Sequence, residues 1–138
     1  MAEQAAIQAG RDMQKLASTS NPLEVVQNPI VVATSLGVLG AYMARKTIYT
    51  SRRDLFGWAA KSSDGKVRYY KVGRDGKPTT TEVPNAYTNR LLLNLGGVLL
   101  GTLLINNKLT DDPMVDYIGL GVAAGSFANL IMTLLAID

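Results

Sequence analysis

The chain has 138 residues and a net charge of +3, from 14 Lys and Arg against 11 Asp and Glu, and it contains neither cysteine nor histidine. That length allows one domain if the protein is soluble. Without Cys there are no disulfides, thiolate metal sites or cysteine nucleophiles, and without His the commonest general base and the usual zinc ligands are gone.

The averages conceal a partition. Residues 29–44, 91–105 and 117–137 carry no charge, whereas the block 45–90 holds eleven of the 14 basic residues against Asp54, Asp64, Asp75 and Glu82. The rest of the chain is net acidic. Spanning segments of a membrane protein are helical, apolar and bounded by the charges they exclude, because lipid offers backbone groups no partners and makes a central charge costly. The competing reading is a soluble helical bundle whose buried helices are apolar all round.

Residues 2–18 predict a weakly amphipathic helix. Ala2, Ala6, Ala9, Met13 and Leu16 fall on one face at helical spacing, with Gln4, Arg11 and Gln14 away from it. Ser18-Thr19-Ser20-Asn21-Pro22 breaks it, since Pro22 biases Asn21 away from the α region. No basic n-region runs directly into an apolar core and cleavage site, so no removable signal peptide is expected.

The first apolar run opens at Pro29, harmless in a first helical turn, and closes at Arg45-Lys46. Its sixteen residues reach roughly 24 Å as a helix, short of a hydrocarbon core of about 30 Å. The run 91–105 is shorter still, and 117–137 is the most convincing span. Tyr42, Tyr49, Tyr87 and Tyr117 stand near span ends, where an aromatic belt belongs.

Between the first two runs, residues 56–61, 66–72 and 79–83 predict three short strands. Ser62-Ser63-Asp64-Gly65 and Gly73-Arg74-Asp75-Gly76-Lys77-Pro78 separate them, and each Asp-Gly pair favours a tight turn. The middle strand has no cleanly apolar face, so Trp58 is expected to cover what core there is. A three-stranded meander is marginal alone and is expected to dock on headgroups, another subunit or another protein. Neither Asp64-Gly65-Lys66 nor Asp75-Gly76-Lys77 completes a P-loop.

The connection 106–116 carries Lys108 against Asp111, Asp112 and Asp116. With three spans, charge bias puts the meander and Asp138 on the positive-retaining side, and the N-terminal helix and acidic connection on the other. The three acids lack EF-hand spacing and read as a solvated loop.

Small residues within the runs are ordered. Ala33, Gly37 and Ala41 recur every four residues in the first, Gly97 and Gly101 form a GxxxG in the second, and Gly121 and Gly125 another in the third. Such spacing lets a second backbone approach closely. Asn94 shares the face of Gly97 and Gly101, and Asn129 continues that of Gly121 and Gly125, so an Asn94–Asn129 contact is expected within or between chains. No ionisable residue interrupts the runs, which argues against proton-coupled transport.

The expected fold is mainly α and integral to a membrane: an N-terminal amphipathic helix (1–22), spans at 23–46, 90–107 and 117–138, a basic meander (47–89) and an acidic loop (108–116). The expected role is non-enzymatic, with no catalytic, metal or cofactor site: a structural or assembly subunit in a cellular inner membrane or the internal membrane of a virus. Expected partners are the bilayer, like or unlike membrane subunits and anionic headgroups, met by Arg45, Lys46, Arg52, Arg53, Trp58, Arg68, Lys71 and Arg74. Nucleic acid, whose phosphates reward any basic surface, ranks last for this block. The alternatives for the whole chain are an oligomeric, holin-like pore and a soluble helical nucleic-acid-binding protein.

Overall fold

The computed structural model describes residues 2–107 and 110–136, with side chains from Ile7 onward. Lys108, Ile137 and Asp138, and the side chains of Ala2 and Ala6 in the N-terminal stripe, lie outside the described residues. The order is α1 (Ala2–Ser18), α2 (Pro22–Gln27), α3 (Pro29–Ser51), α4 (Arg53–Phe56), β1 (Trp58–Lys61), β2 (Val67–Val72), β3 (Pro78–Glu82), α5 (Ala86–Ile105) and α6 (Pro113–Leu134). The protein is mainly helical with one small three-stranded sheet.

Three helices start by one device, an Asx side chain followed by proline. Asn21 accepts from the Leu23 amide at 3.0 Å, Asn28 from Ile30 at 2.9 Å and Asp112 from Met114 at 3.0 Å. The cap satisfies an otherwise bare N–H, and proline in the first turn has none to lose. Pro22 therefore ends one helix and begins another. Asn28 also donates to the Asp12 carbonyl oxygen at 2.8 Å, tying α1 to the start of α3.

The long helices form a three-helix layer with α6 in the middle. It packs against both α3 and α5, which scarcely touch each other. Gly121 meets Thr34 and Gly37, and Gly125 meets Val38 and Ala41, so α3 and α6 run parallel. Gly97 faces Ser126 and Gly101 faces Gly119 and Ala123, so α5 runs antiparallel. The sheet and the basic block lie at the end where α3 finishes and α5 begins, and Asp111, Asp112 and Asp116 at the other.

The bundle is inverted relative to a water-soluble one. The buried residues of α6 are Gly119, Gly121, Gly125, Ser126, Asn129 and Thr133. Leu92, Leu99 and Leu103 of α5 and Leu120, Phe127 and Leu134 of α6 point outward, with Leu103 68% exposed. Among the described residues, α5 and α6 are long and apolar enough to cross a membrane. α3 has 23 residues but continues through Arg45 and Lys46 to Ser51. α3 and α5 outrun the charge-free stretches that marked them, α6 runs from Pro113 to Leu134 against a stretch of 117–137, and α3 reaches roughly 34 Å.

The sheet is antiparallel in the order β1-β2-β3, with Trp58 opposite Tyr70, Ala59 opposite Tyr69 and Tyr70 opposite Glu82. Both hairpins turn alike. The Ser62 amide donates to the Lys66 carbonyl oxygen at 2.8 Å and that of Gly73 to Lys77 at 2.9 Å. Gly65 and Gly76 take the positive φ, +82° and +78°, that closes each loop.

Two local expectations are corrected. Residues 56 and 57 are not strand: Phe56 ends α4, and Gly57 at φ +68° turns the chain into β1. A Cβ at Gly57 would stand 2.9 Å from that of Tyr69, so glycine answers both the dihedral and the close approach. Trp58 does not cover the core. It is 39% exposed, and the small core under the sheet is Tyr69, Val83 and Ala86 with Ala59 and Val67. Tyr69 sits on the sheet face turned toward the first turn of α5, whereas Trp58 lies on the opposite pleat.

Candidate functional site

The small-residue seam comes first because it fixes everything around it. Ala33, Gly37 and Ala41 are buried on α3, and a Cβ built on Gly37 would overlap the Ile118 carbonyl oxygen and the Val122 amide. Gly121 in turn abuts the Thr34 carbonyl. These are backbone-to-backbone contacts, reachable only where side chains are missing. Gly97 and Gly101 make the second seam, against Ser126, Ala123 and Gly119 of α6. The two GxxxG pairs therefore do not meet. Gly121 and Gly125 serve α3, while α5 uses a different α6 face containing Gly119, which spacing alone did not single out.

The expected Asn94–Asn129 pair is absent from the described hydrogen bonds. Asn94 instead donates to the Tyr49 hydroxyl at 2.8 Å and to the Arg90 carbonyl oxygen at 2.9 Å. Asn129, one turn beyond Gly125 on the stripe that faces α3, is 5% exposed, and its amide nitrogen reaches no hydrogen-bond partner.

Arg90, counted in the sequence only as part of the basic block, joins the bundle to the sheet. It is 2% exposed and lies between two tyrosines, its guanidinium carbon 4.2 Å from the Tyr49 ring centroid and 4.4 Å from that of Tyr69. Nε donates to the Phe56 carbonyl oxygen at 2.9 Å and Nη2 to that of Gly57 at 3.0 Å. Asn89 donates to the Leu55 carbonyl oxygen at 2.8 Å. The first turn of α5 thus caps the end of α4, whose last carbonyls have no partner within the helix. Phe56 stacks on Tyr49 at 5.0 Å. The sequence signal was a charged residue directly before an apolar run, which also marks any span boundary.

The basic residues divide around this hub. Arg53 donates to the Gly57 carbonyl oxygen at 2.9 Å and lies over Trp58, 5.0 Å from its ring centroid. Burial, then the nearby Arg90 charge, lowers the Arg53 pKa. Arg45 lies 5.3 Å from the Tyr49 ring centroid. Arg45, Lys46, Arg53, Arg90 and Trp58 line one cavity of about 370 Å³ with Tyr42 and Tyr49. Arg52, Arg68, Lys71 and Arg74 do not line it.

Two of these four are matched by acids. Arg52 makes a fork to Asp54, both bonds at 3.0 Å, which raises the arginine and lowers the carboxyl. Arg68 reaches Asp64 at 3.1 Å and Glu82 at 3.5 Å and is likewise raised, chiefly by Asp64. Asp64 is held at about 2, first by the Ser62 hydroxyl, then by the Lys66 amide and Arg68. All are exposed pairs of small energetic weight. Their consequence is positional: positive charge concentrates where the hub meets the helices.

A second cavity of about 440 Å³ lies between α3 and α5, with Val122 and Ser126 of α6 as its floor. Its walls are Gly40, Ala41, Ala44, Ile48, Leu92, Leu93, Gly96, Gly97 and Leu100, with Arg45 and Asn94 among them. It exists because α3 and α5 both lean on α6 and not on each other. No group of three or more acidic side chains placed to hold a metal occurs among the described residues. Comparison with protein-family models, curated proteins and solved structures finds no match to this chain.

Proposed function

We propose that the chain is a non-enzymatic integral membrane protein crossing the bilayer three times, through α3, α5 and α6, as a structural or assembly subunit of a larger complex. The observation that carries this reading is the inversion of the bundle. Leucines face outward along α5, while Gly, Ser, Asn and Thr occupy the interior of α6. In water so large an apolar surface demands a cover; in lipid it is the ordinary solvent-facing surface, and small residues are what bring the helices together. α3 fits the same layer, with Arg45 and Lys46 able to extend their stems toward the headgroups.

The charge along the bundle supports one orientation. Arg45, Lys46, Arg53 and Arg90 cluster at the sheet end, and Asp111, Asp112 and Asp116 lie at the other. The positive-retaining side would then hold the sheet. A cellular inner membrane and the internal membrane of a virus both suit the reading, and fractionation separates them.

Carbonate extraction tests the core of the proposal. The full chain should stay with the bilayer, and release with peripheral proteins would sink the reading in favour of a soluble assembly. Ion flux through reconstituted protein would replace the structural role with a pore. Co-purifying membrane subunits are the expected finding for an assembly role.

A further inference from the structure

We propose that the two adjoining cavities form one binding site for an anionic diacyl phospholipid, an acyl chain lying in the α3–α5 groove and the phosphate in the basic pocket above it. The inference rests on the membrane reading and goes beyond general headgroup contact, because it assigns one saturable site to a particular pair of cavities.

The order of the chemistry along the site is that of a lipid. The groove of about 440 Å³ is walled by Ala44, Ile48, Leu92 and Leu100 and floored by Val122. Its volume lies within the range of about 300–1,000 Å³ common to small-molecule sites. Arg45 lines this groove and also the neighbouring cavity of about 370 Å³, where Lys46, Arg53, Arg90 and the ring of Trp58 join it. Among the described residues, no Asp or Glu lines either cavity. The boundary is the hydrogen-bonded pair Asn94 and Tyr49, 2.8 Å apart, one lining each cavity. Arginine offers a phosphate a planar fork of donors, and basic pockets between spanning helices on the positive side are suited to anionic headgroups.

Charge complementarity decides between occupants. A helix from a second copy would bring a charge-free span into the groove and nothing for Arg45, Lys46 and Arg53 to meet. A phospholipid brings an apolar chain and an anion in the required order. The groove is also open where a helix seam is not: a Cβ on Gly40 or on Gly96 would find no atom within 4 Å, in contrast to Gly37, Gly97 and Gly101.

That openness supplies a test that leaves the seams intact. The purified full chain in detergent is delipidated, offered dioleoyl phosphatidylglycerol or dioleoyl phosphatidylcholine, and weighed by native mass spectrometry. One phosphatidylglycerol should be retained roughly tenfold more strongly than phosphatidylcholine. Gly40→Leu and Gly96→Leu fill the groove and should abolish that retention while the helical circular dichroism stays unchanged. Arg45→Gln with Arg53→Gln should bring the two lipids to parity, whereas Lys71→Gln with Arg74→Gln should not.

Equal retention of both lipids, loss caused by the Lys71 and Arg74 pair instead, or displacement by inorganic phosphate at matched concentration would overturn the site. A bound species with the mass of a second chain, lost in Gly96→Leu, would assign the groove to self-association. A chain that survives carbonate extraction yet shows no lipid preference disproves this inference alone; a chain released by carbonate disproves the membrane reading beneath it.

Discussion

The helical layer and the hub under the sheet are held together by opposite means. Where α6 crosses α3, cohesion comes from what is missing: Gly37 and Gly121 leave the backbones in contact, and the leucines face away. At the hub, cohesion comes from the largest side chains available, with Arg90 between Tyr49 and Tyr69 and Phe56 stacked on Tyr49. On the membrane reading proposed above, the difference is one of solvent. Lipid gives no advantage to burying a leucine, so helices there associate through dispersion and close approach, whereas a water-facing sheet of three short strands gains from every aromatic it covers.

The harshest way to break that contrast is to put a side chain into the first seam. Gly121→Leu drives several carbons into the Thr34 carbonyl and the Gly37 backbone, and neither can swing aside. Overpacking a core that can adjust costs about 1–3 kcal/mol; here the layer should come apart. The expected outcome is loss of the folded band in detergent. A variant that behaves as the parent would show that α3 and α6 do not meet as described.

Second in size is the hub. Arg90→Leu takes its donor from the Phe56 carbonyl, at about 1–3 kcal/mol for a buried group left bare, while the Gly57 carbonyl loses one of two donors and keeps Arg53. Two ring stackings go with it. Arg90→Lys keeps the charge but cannot span both carbonyls in one plane, so it should fall between parent and Leu. Unfolding in mixed micelles, followed by the single tryptophan, would rank the three. The helical signal of the layer should survive in both variants, and its loss would mean that hub and layer are one cooperative unit.

How much of this was legible beforehand follows the same division. The Asp-Gly turns at 64–65 and 75–76 and the strands at 66–72 and 79–83 are local signals, and those elements lie within a residue or two of them, whereas α3, α5 and α6 extend seven, five and four residues past one end of the apolar runs that mark them. Gly97 and Gly125 could be read as places where a backbone approaches, but spacing does not say whose. That choice depends on how α6 is rotated between two neighbours, and Gly119 belongs to the seam only for that reason. Arg90 was hidden by its own charge, which resembles any span boundary. Its burial follows from Tyr49 and Tyr69 meeting around it, from positions 41 and 21 residues earlier in the chain.

A finer comparison uses two glycines of one motif. An added Cβ at Gly101 meets the Ala123 amide and the Gly119 carbonyl, both backbone; one at Gly97 meets only the Ser126 side chain. Gly101→Ala should therefore cost about 1–3 kcal/mol and Gly97→Ala less. Adding Ser126→Gly should restore the Gly97 variant and do nothing for the Gly101 one. Equal costs, or rescue of both, would mean that the α5–α6 seam is looser than the Gly101 contacts require.

The smallest expected effect lies farthest from the layer, in the first hairpin turn. Asp64 is held at about 2, below the ordinary 3.8, chiefly by the Ser62 hydroxyl, then by the Lys66 amide at 3.1 Å, then by Arg68. A carboxyl depressed in the folded state contributes fully above its unfolded value and loses that contribution as pH falls through the folded one. The window is therefore about pH 4 down to about pH 2. Asp64 is exposed, so the layer should not respond and only the turn should loosen. Carbon-13 titration of the Asp64 carboxyl in the full chain should give a midpoint near 2, raised more by Ser62→Ala than by Arg68→Gln, with faster exchange of the Lys66 amide below it. A midpoint near 3.8 in the parent chain would mean that the turn is not closed by this carboxylate. The hairpin would then owe its shape to Gly65, at φ +82°, and to the backbone bond from the Ser62 amide to the Lys66 carbonyl oxygen.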